Sequence, residues 1–191
     1  MSHETWFTSD EHYFHKNIIK YANRPFASVE AMNITLIENH NAVVKPEDIV
    51  WHLGDFAFVR MDQIEWVLRQ LNGEHWFCRG NHDKELLKNM DYCLKKGLFK
   101  GWDKDAEITV NGQFLVLHHY GKRVWNRSHH GAWQLFGHSH GSLPPYGKSV
   151  DVGVDSPWVT GKAEYRPFSF TELREYMKGR PIGCADGHKE K

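Results

Sequence analysis

Acidic residues, histidines and one asparagine recur along this chain in short polar blocks. In order, the blocks are Asp10-Glu11-His12, Gly54-Asp55, Gly80-Asn81-His82-Asp83, His118-His119 and Gly137-His138-Ser139-His140. Most of them follow apolar or β-favouring runs, at residues 4–8, 48–53, 75–78, 114–117 and 133–136. Strands of one parallel-type sheet end at a common edge, so residues of different blocks can meet there. Carboxylates, imidazoles and a carboxamide suit two divalent metal ions better than a structural zinc site, which prefers thiolates.

Strands and helices alternate in the first part of the chain that must position these blocks. Helices are predicted over residues 17–22, 28–43, 62–71 and from beyond Asp83 to about residue 94. Ser28 is a good N-cap for the second of these helices. The pattern predicts an α/β fold in which each strand delivers its polar block to the sheet edge.

Strand patterns dominate the second part of the chain. Residues 107–110 and 113–117 predict a β-hairpin with a tight turn at Asn111-Gly112. Strands continue to about residue 154, and Ser169 with Glu172 predicts a capping box for a last helix that ends near residue 178. We therefore expect two α/β halves, the second richer in antiparallel strands.

Length and composition limit the classes of protein that fit. The 191 residues predict a single domain over residues 1–178, with a loosely ordered tail over residues 179–191. Lys and Arg total 24, as do Asp and Glu, so no overall charge attracts nucleic acid or an anionic membrane. No apolar stretch is long enough to cross a bilayer, and no secretory signal begins the sequence. Three cysteines without metal-type spacing, Cys78, Cys93 and Cys184, predict reduced thiols in a cytoplasmic protein.

The order and content of the blocks resemble the calcineurin-like metallophosphoesterases. That family's pattern reads Asp-x-His, Gly-Asp, Gly-Asn-His-Asp/Glu, a lone His and Gly-His-x-His, and every block is present from Asp10 to His140. The likeness is greater to small bacterial and phage members, whose first loop reads like His15-Lys16-Asn17-Ile18-Ile19 followed by Asn23-Arg24-Pro25-Phe26. Two departures are Tyr13-Phe14-His15 in place of Phe-Gly-His, and Gly121 where proline is common. The resemblance implies a four-layer α/β/β/α sandwich.

The resemblance also implies a dinuclear metal centre. Its ligands in this chain are Asp10, His12, Asp55, Asn81, His119, His138 and His140. The first two and His140 are expected to hold one ion, Asn81, the lone histidine and His138 the other, and Asp55 to bridge both. Manganese is the first expectation, with iron, zinc or nickel as alternatives. Strand-end capping explains Asp10 or Asp55 singly, but not both beside three histidine blocks.

The lone histidine can be read in two registers, because neighbouring residues on a strand point to opposite faces. Small members of the family read Leu-Ser-His-Tyr here, and Tyr120 follows His119. This register assigns the metal ligand to His119. His118 is then expected to be a packing residue or to lie next to the metal ligand.

The expected catalytic residues are His82 and Asp83. His82 binds no metal in the family pattern and is expected to donate a proton to the leaving oxygen or to stabilise the transition state. Asp83 is expected to orient the His82 ring or to cap the following helix, and the two roles are compatible.

Substrate contacts are expected from two loops. The candidates are His15, Asn17, Arg24, Arg123, Trp125, Arg127 and His130. Arginine forks match a phosphate, and Trp125 could stack a base or sugar. Taken singly, the arginines also fit a solvated loop and Trp125 also fits ordinary packing.

We interpret the sequence as a phosphoesterase that hydrolyses P–O bonds by direct attack of a metal-bridging hydroxide. A phosphodiesterase acting on nucleotides or nucleic-acid ends is the first expectation. The alternatives are a phosphomonoesterase, including a protein phosphatase, and a catalytically silent module that binds metal and nucleotide. His82 argues against the silent module, and the short chain offers little material for a peptide groove. We expect a phosphate-ester substrate, no membrane and no obligate protein partner.

Overall fold

The computed structural model describes residues 3–183 and 187. Its strands are β1 (Thr5–Thr8), β2 (Ile49–His52), β3 (Glu74–Cys78), β4 (Gly101–Asp103), β5 (Ala106–Val110), β6 (Gln113–Leu117), β7 (Trp133–Phe136), β8 (Ser149–Asp151) and β9 (Phe168–Ser169). Its helices are α1 (Ile18–Tyr21), α2 (Val29–Val43), α3 (Met61–Leu68), α4 (Lys84–Lys88), α5 (Met90–Lys95) and α6 (Phe170–Lys178). Cys184, one of the three predicted thiols, lies outside the described residues, and so does most of the predicted tail.

Two sheets form the centre of this mixed α/β fold. The first has the strand order β4-β3-β2-β1-β9, with β1 to β4 parallel and β9 antiparallel to β1. The second has the order β5-β6-β7-β8, with an antiparallel β5–β6 hairpin and with β6, β7 and β8 parallel. Among the strands of the second sheet, antiparallel pairing is therefore limited to the β5–β6 hairpin. The parallel β6–β7 crossover contains only a 3-10 turn, Ser128–His130, and so gave no helical signal in the sequence.

The buried apolar clusters show what covers each face of the two sheets. Residues of both sheets, among them Phe7, Leu53, Leu115 and Leu135, form one buried cluster, so the two sheets pack face to face. The other face of the first sheet is covered by α2 to α5, whose apolar side chains join a second cluster. The outer face of the second sheet is covered by the 118–132 connection. The expected fourth, helical layer is not seen there among the described residues.

Helix boundaries follow local chemistry. Ser28 Oγ accepts from the Ala31 N–H at 3.2 Å, and the capping box at Ser169 and Glu172 is formed, so both capping predictions are confirmed. The helix predicted beyond Asp83 is instead two helices, α4 and α5, which meet at Asn89. The Asn89 side chain donates to the Glu85 carbonyl at 2.8 Å, and such a local bond competes with the helical backbone pattern.

Candidate metal centre

The strand register brings the polar blocks to one edge of the structure. The β1–β2 pairing ends at Thr8 opposite His52, so Asp10 and Asp55 leave their strands side by side. The Asp10 N–H donates to the Gly54 carbonyl at 3.0 Å, and the His12 N–H donates to the Asp55 carbonyl at 3.0 Å. In the second sheet the Gly137 N–H donates to the His119 carbonyl at 3.0 Å.

One group of possible metal ligands consists of Asp10, His12 and His140. One donor atom from each lies within 4.8 Å of the others. The rings of His12 and His140 are stacked with centroids 5.2 Å apart. Asp10 Oδ2 accepts from the His138 N–H at 2.8 Å, whereas Oδ1 of Asp10 is buried and has no hydrogen-bond partner among the described residues.

A second group consists of Asp55, His119 and His138, again with donor atoms within 4.8 Å. Asn81 adjoins it, because Oδ1 of Asn81 lies 3.0 Å from Nε2 of His119. The hydroxyl of Tyr120 donates to the same Asn81 oxygen at 3.1 Å and so helps to position it. Nδ1 of His119 lies 2.9 Å from the Leu53 carbonyl, and a proton there directs Nε2 toward Asn81 and Asp55.

Asp55 lies between the two groups. Its Oδ2 is 3.6 Å from Nε2 of His12 and 3.4 Å from Nε2 of His119. Its Oδ1 accepts from the His82 N–H at 2.8 Å, which fixes the carboxylate plane. One oxygen of Asp55 therefore faces a ligand of each group.

Glycines allow the loops to approach this closely. A Cβ at Gly80 would lie 2.1 Å from the Asp55 nitrogen and 2.3 Å from its Oδ1. A Cβ at Gly137 would lie 2.0 Å from Oγ of Ser9 and 2.5 Å from Oδ2 of Asp10. Any side chain at these positions would displace a carboxylate of the centre.

The backbone of the centre is unusual. Residues with φ between 46° and 66° include Asp10, His12, Asp55, His138 and His140. This left-handed conformation costs free energy in residues other than glycine, and it persists only where the surrounding structure enforces it. Such concentration at one place is typical of functional sites.

A divalent cation fits these residues. Oδ1 of Asp10 and both ring nitrogens of His12 are buried and have no hydrogen-bond partner in the described structure. Burial lowers the pKa of His12 to about 2, so its ring is neutral and can ligate. Burial and the charges of Asp151 and Asp55 raise the pKa of Asp10 well above its usual value, and a cation would offset these charges.

The two adjacent histidines point to different places. His118 pairs with Asp105, with Nε2 at 2.5 Å from Oδ1, whereas His119 joins the second ligand group. Burial lowers the pKa of His118. For His119 burial acts in the same direction, but the hydrogen bond and charge of Asp55 outweigh it and raise the pKa.

Asp83 has a different structural position from either expectation. Its Oδ2 accepts from the N–H groups of Asp55 and Gly80 at 2.9 and 2.8 Å, and its Oδ1 accepts from Phe56 at 2.9 Å. Asp83 is the N-cap residue of α4, but its side chain makes no capping hydrogen bond, so the prediction of a capping carboxylate is wrong. Within residues 3–183 no hydrogen bond joins it to the His82 ring. The Asp83 carboxyl instead clamps the Asp55 loop to the Gly80 loop. Burial and the Asp55 charge raise its pKa to about 6.

His82 and His15 lie beside the first ligand group. The His82 ring centroid is 5.4 Å from that of His12, and the His15 centroid is 5.3 Å from it. Both rings are half-buried. Asn17, also predicted to contact substrate, is exposed at the start of α1 and makes no side-chain cap.

Arg24 does not face substrate, which corrects the prediction. Its side chain is 0% exposed, and all of its donor nitrogens are engaged. Nε and Nη2 bind the two oxygens of Asp155 at 2.8 and 2.7 Å, Nη2 also donates to the Asp10 carbonyl, and Nη1 donates to the Glu11 carbonyl at 2.9 Å. Arg24 therefore fixes the Asp10 loop from behind.

Two further aspartates belong to the surroundings of the centre and were not predicted. Asp151 ends the short buried strand β8, Asp155 follows it, and both are buried. The Asp151 carboxylate accepts from the N–H groups of Gly153 and Gly141 at 2.7 and 2.9 Å. The sequence signal that could have revealed these aspartates is a further strand-like run with acidic residues at its end, from Ser149 to Asp155, of the same kind as the other blocks.

The structure contradicts the predicted substrate wall over residues 123–130 at Trp125, and contact of Arg123 with substrate stays a prediction. Trp125 is buried at 5% exposure, and its indole N–H donates to the Ala132 carbonyl at 2.9 Å. Arg127 and His130 line a cavity with Phe114, near the beginning of β6 and therefore away from the ligand-bearing strand ends. Arg123 is exposed and lines a separate cavity with Phe136. These residues stabilise or border the outer face of the second sheet.

No helix in the described part of the chain is long and apolar enough to cross a membrane.

Comparisons with known proteins find structural neighbours and sequence relatives. No family model matches the chain. The solved structure of AQ665 from Aquifex aeolicus, a protein of unknown function, overlays with a TM-score of 0.68 and 24% identity, covering 91% of this chain and 99% of that one. An archaeal phosphodiesterase overlays more loosely, with a TM-score of 0.46, 19% identity and coverage of 87% and 99%.

Two sequence relatives extend the comparison. The gene 66 protein of Mycobacterium phage L5 is 33% identical over 119 residues, which are 60% of this chain and half (50%) of the phage protein. Uncharacterized protein MJ1445 of Methanocaldococcus jannaschii is 36% identical over 159 residues, covering 78% of this chain and 81% of MJ1445. The chain therefore belongs to the protein family of MJ1445.

Proposed function

We propose that the chain is a dinuclear metal-dependent phosphoesterase that hydrolyses P–O bonds, acting as a phosphodiesterase on nucleotides or nucleic-acid ends. The observation that carries this proposal is the position of Asp55 Oδ2, at 3.6 Å from Nε2 of His12 and 3.4 Å from Nε2 of His119. A carboxylate shared by two ligand groups suits a pair of neighbouring cations, the arrangement that two-metal phosphatases and nucleases use.

Each ligand group would bind one cation. Asp10, His12 and His140 would hold one cation, and Asn81, His119 and His138 the other, with Asp55 common to both. When bound, two divalent cations would acidify a water molecule and offset the charge of the phosphoryl oxygens. Oxygen and imidazole donors suit manganese first, and iron, zinc or nickel also.

His82 would serve the leaving group. Its ring lies beside that of His12 at a centroid distance of 5.4 Å, and it is half-buried beside an open cavity. Its backbone is fixed by the hydrogen bond from its N–H to Asp55 Oδ1 at 2.8 Å. A ring held in this position can keep a proton on Nε2 or Nδ1 for the departing oxygen.

The test is hydrolysis after metal reconstitution. Protein loaded with manganese is assayed on bis-para-nitrophenyl phosphate and on para-nitrophenyl phosphate, and we expect faster hydrolysis of the diester. Asp55→Asn should reduce hydrolysis to background and lower the binding of both ions, because one carboxylate serves two groups. Asp62→Asn, an exposed aspartate on α3, is the matched control and should keep wild-type values.

The other outcomes identify the alternatives. Faster hydrolysis of the monoester would replace the phosphodiesterase by a phosphomonoesterase. Binding of two ions without hydrolysis of any ester, under manganese, iron, zinc or nickel, would favour the silent binding module. Two bound ions and full activity in Asp55→Asn would contradict the dinuclear assignment.

A further inference from the structure

The ring of Phe58 lies at the protein surface beside the candidate metal centre. It is 53% exposed, whereas Phe56, two residues earlier, is fully buried. The Phe58 N–H donates to the Tyr13 carbonyl at 3.3 Å, and Ala57 forms a β-bridge with Tyr13. The exposed ring is therefore carried by a segment that is anchored to the loop of the first ligand group.

Single exposed apolar side chains are common on protein surfaces and need no function. Phe58 differs in its contacts. Its ring centroid is 5.2 Å from that of His82, at an interplanar angle of 77°, and 5.0 Å from that of His15. His82 in turn lies 5.4 Å from His12. A row of rings thus leads from a candidate metal ligand to the exposed phenyl face.

A cavity of about 480 Å³ opens beside this row. It is lined by Phe58, Val59, Asn81, His82, Lys84 and Glu85. Its volume is within the range of small-molecule sites, which combine apolar walls with a few polar groups. Asn81 and His82 bound it on the side of the metal centre, Phe58 and Val59 supply apolar surface, and Lys84 and Glu85 contribute one charge of each sign.

We infer that this cavity, the Phe58 pocket, binds a nucleobase of the phosphate ester, stacked on the Phe58 ring. The inference rests on the proposed function, because the phosphate of the same ester must lie at the metal centre. An aromatic face accepts any base by stacking, without a hydrogen-bond pattern of its own. The residue proposed to stack a base is therefore Phe58 and not Trp125, which is buried.

Equilibrium binding separates the base from the phosphate. Manganese-loaded protein is titrated by calorimetry with adenosine monophosphate and with ribose phosphate, which lacks the base. We expect wild type to bind adenosine monophosphate about tenfold more tightly, as one base–aromatic stack provides. Phe58→Leu keeps an apolar side chain but removes the aromatic face, so it should abolish this preference and leave ribose phosphate affinity unchanged.

The matched control is Trp66→Leu. Trp66 is an aromatic residue on α3 that is 48% exposed and does not line the pocket. The variant should retain the wild-type preference. A preference that survives in Phe58→Leu, or a wild type that binds both ligands equally, would overturn the inference even if diesters are hydrolysed. If no ester is hydrolysed with any metal but the preference is present and depends on Phe58, the proposed function fails and the pocket stands.

Discussion

Asp155 and His140 are joined by a hydrogen bond of 2.6 Å between Oδ2 and the ring nitrogen Nδ1. A proton on Nδ1 leaves the Nε2 lone pair free for a cation, which is how carboxylates orient metal-binding histidines. The bidentate pair with Arg24 holds Asp155 in turn, so three buried or half-buried side chains form one connected unit. The His140 bond and Arg24 also outweigh the effect of burial and lower the pKa of Asp155.

Asp155→Asn should therefore weaken the ligand group that contains His140. The amide keeps the shape of the carboxylate but not its charge, so the hydrogen bond that orients His140 becomes weaker. We expect about 10–100-fold weaker binding of one ion and a smaller effect on the other, measured by manganese titration. Manganese affinities at both sites that equal those of wild type would show that Asp155 does not orient His140.

The same substitution should also lower stability. Arg24 would remain buried without its counterion, and losing one partner of a buried pair typically costs about 3–5 kcal/mol. Urea unfolding of the metal-free protein measures this loss. Asp62→Asn, which alters an exposed ion pair, should change the free energy of unfolding by less than about 1 kcal/mol.

The sequence was informative where chemistry and strand ends coincide. Asp10, Asp55 and His140 could be proposed as neighbours because each follows a strand-like run, and parallel strands end together. The choice of His119 over His118 also followed from strand alternation and the neighbouring Tyr120. In the structure the two histidines point to Asp55 and Asp105 respectively.

Contacts between distant loops could not be predicted in this way. Arg24 has the side chain of a phosphate ligand, but its partner Asp155 lies 131 residues away and meets it only when both sheets have formed. Trp125 is similar, since its burial depends on how the 118–132 connection folds over the second sheet. Neither contact leaves a period or a local motif in the sequence.

His119→Ala and His118→Ala form a matched pair on neighbouring residues. His119→Ala should lose one of two bound ions, because its Nε2 faces Asn81 and Asp55. His118→Ala removes the pair with Asp105 and the hydrogen bond that Nδ1 accepts from the Tyr120 N–H at 2.9 Å, and it should retain two ions and substantial activity. Metal content by elemental analysis decides between them. The reverse result would assign the ligand to His118.

His82→Ala tests proton donation apart from metal binding. No metal-ligand contact is assigned to His82, so the variant should keep two ions and its thermal stability. With a diester that has a poor leaving group, kcat should fall by about 10²–10⁴-fold, the usual value of general-acid help. With a nitrophenolate leaving group, which needs little protonation, the loss should be much smaller. An equal loss on both would indicate stabilisation of phosphoryl oxygens instead.

Titration of the buried His40 should make the stability of the metal-free protein depend on pH. It is buried on α2, where its Nε2 lies 2.8 Å from the Asn72 carbonyl, and its ring neighbours those of His52 and His75. Burial lowers the pKa of His40 to about 4, from its usual value of 6.5. Burial likewise lowers the pKa of His52, which is paired with the buried Glu11, to about 3. The native state therefore keeps these rings neutral at a pH where the unfolded chain protonates them.

The sign of the effect follows from proton binding. Below about pH 6.5 the unfolded chain takes up a proton at residue 40 that the native state does not, so stability falls as pH decreases toward about 4. His40→Gln can keep a hydrogen bond to Asn72 but cannot titrate. Urea unfolding over this range should show a shallower loss in the variant, by at most about 1.4 kcal/mol per pH unit. Exposed His130→Gln should follow wild type, and parallel profiles for wild type and His40→Gln would show that residue 40 does not contribute to acid unfolding.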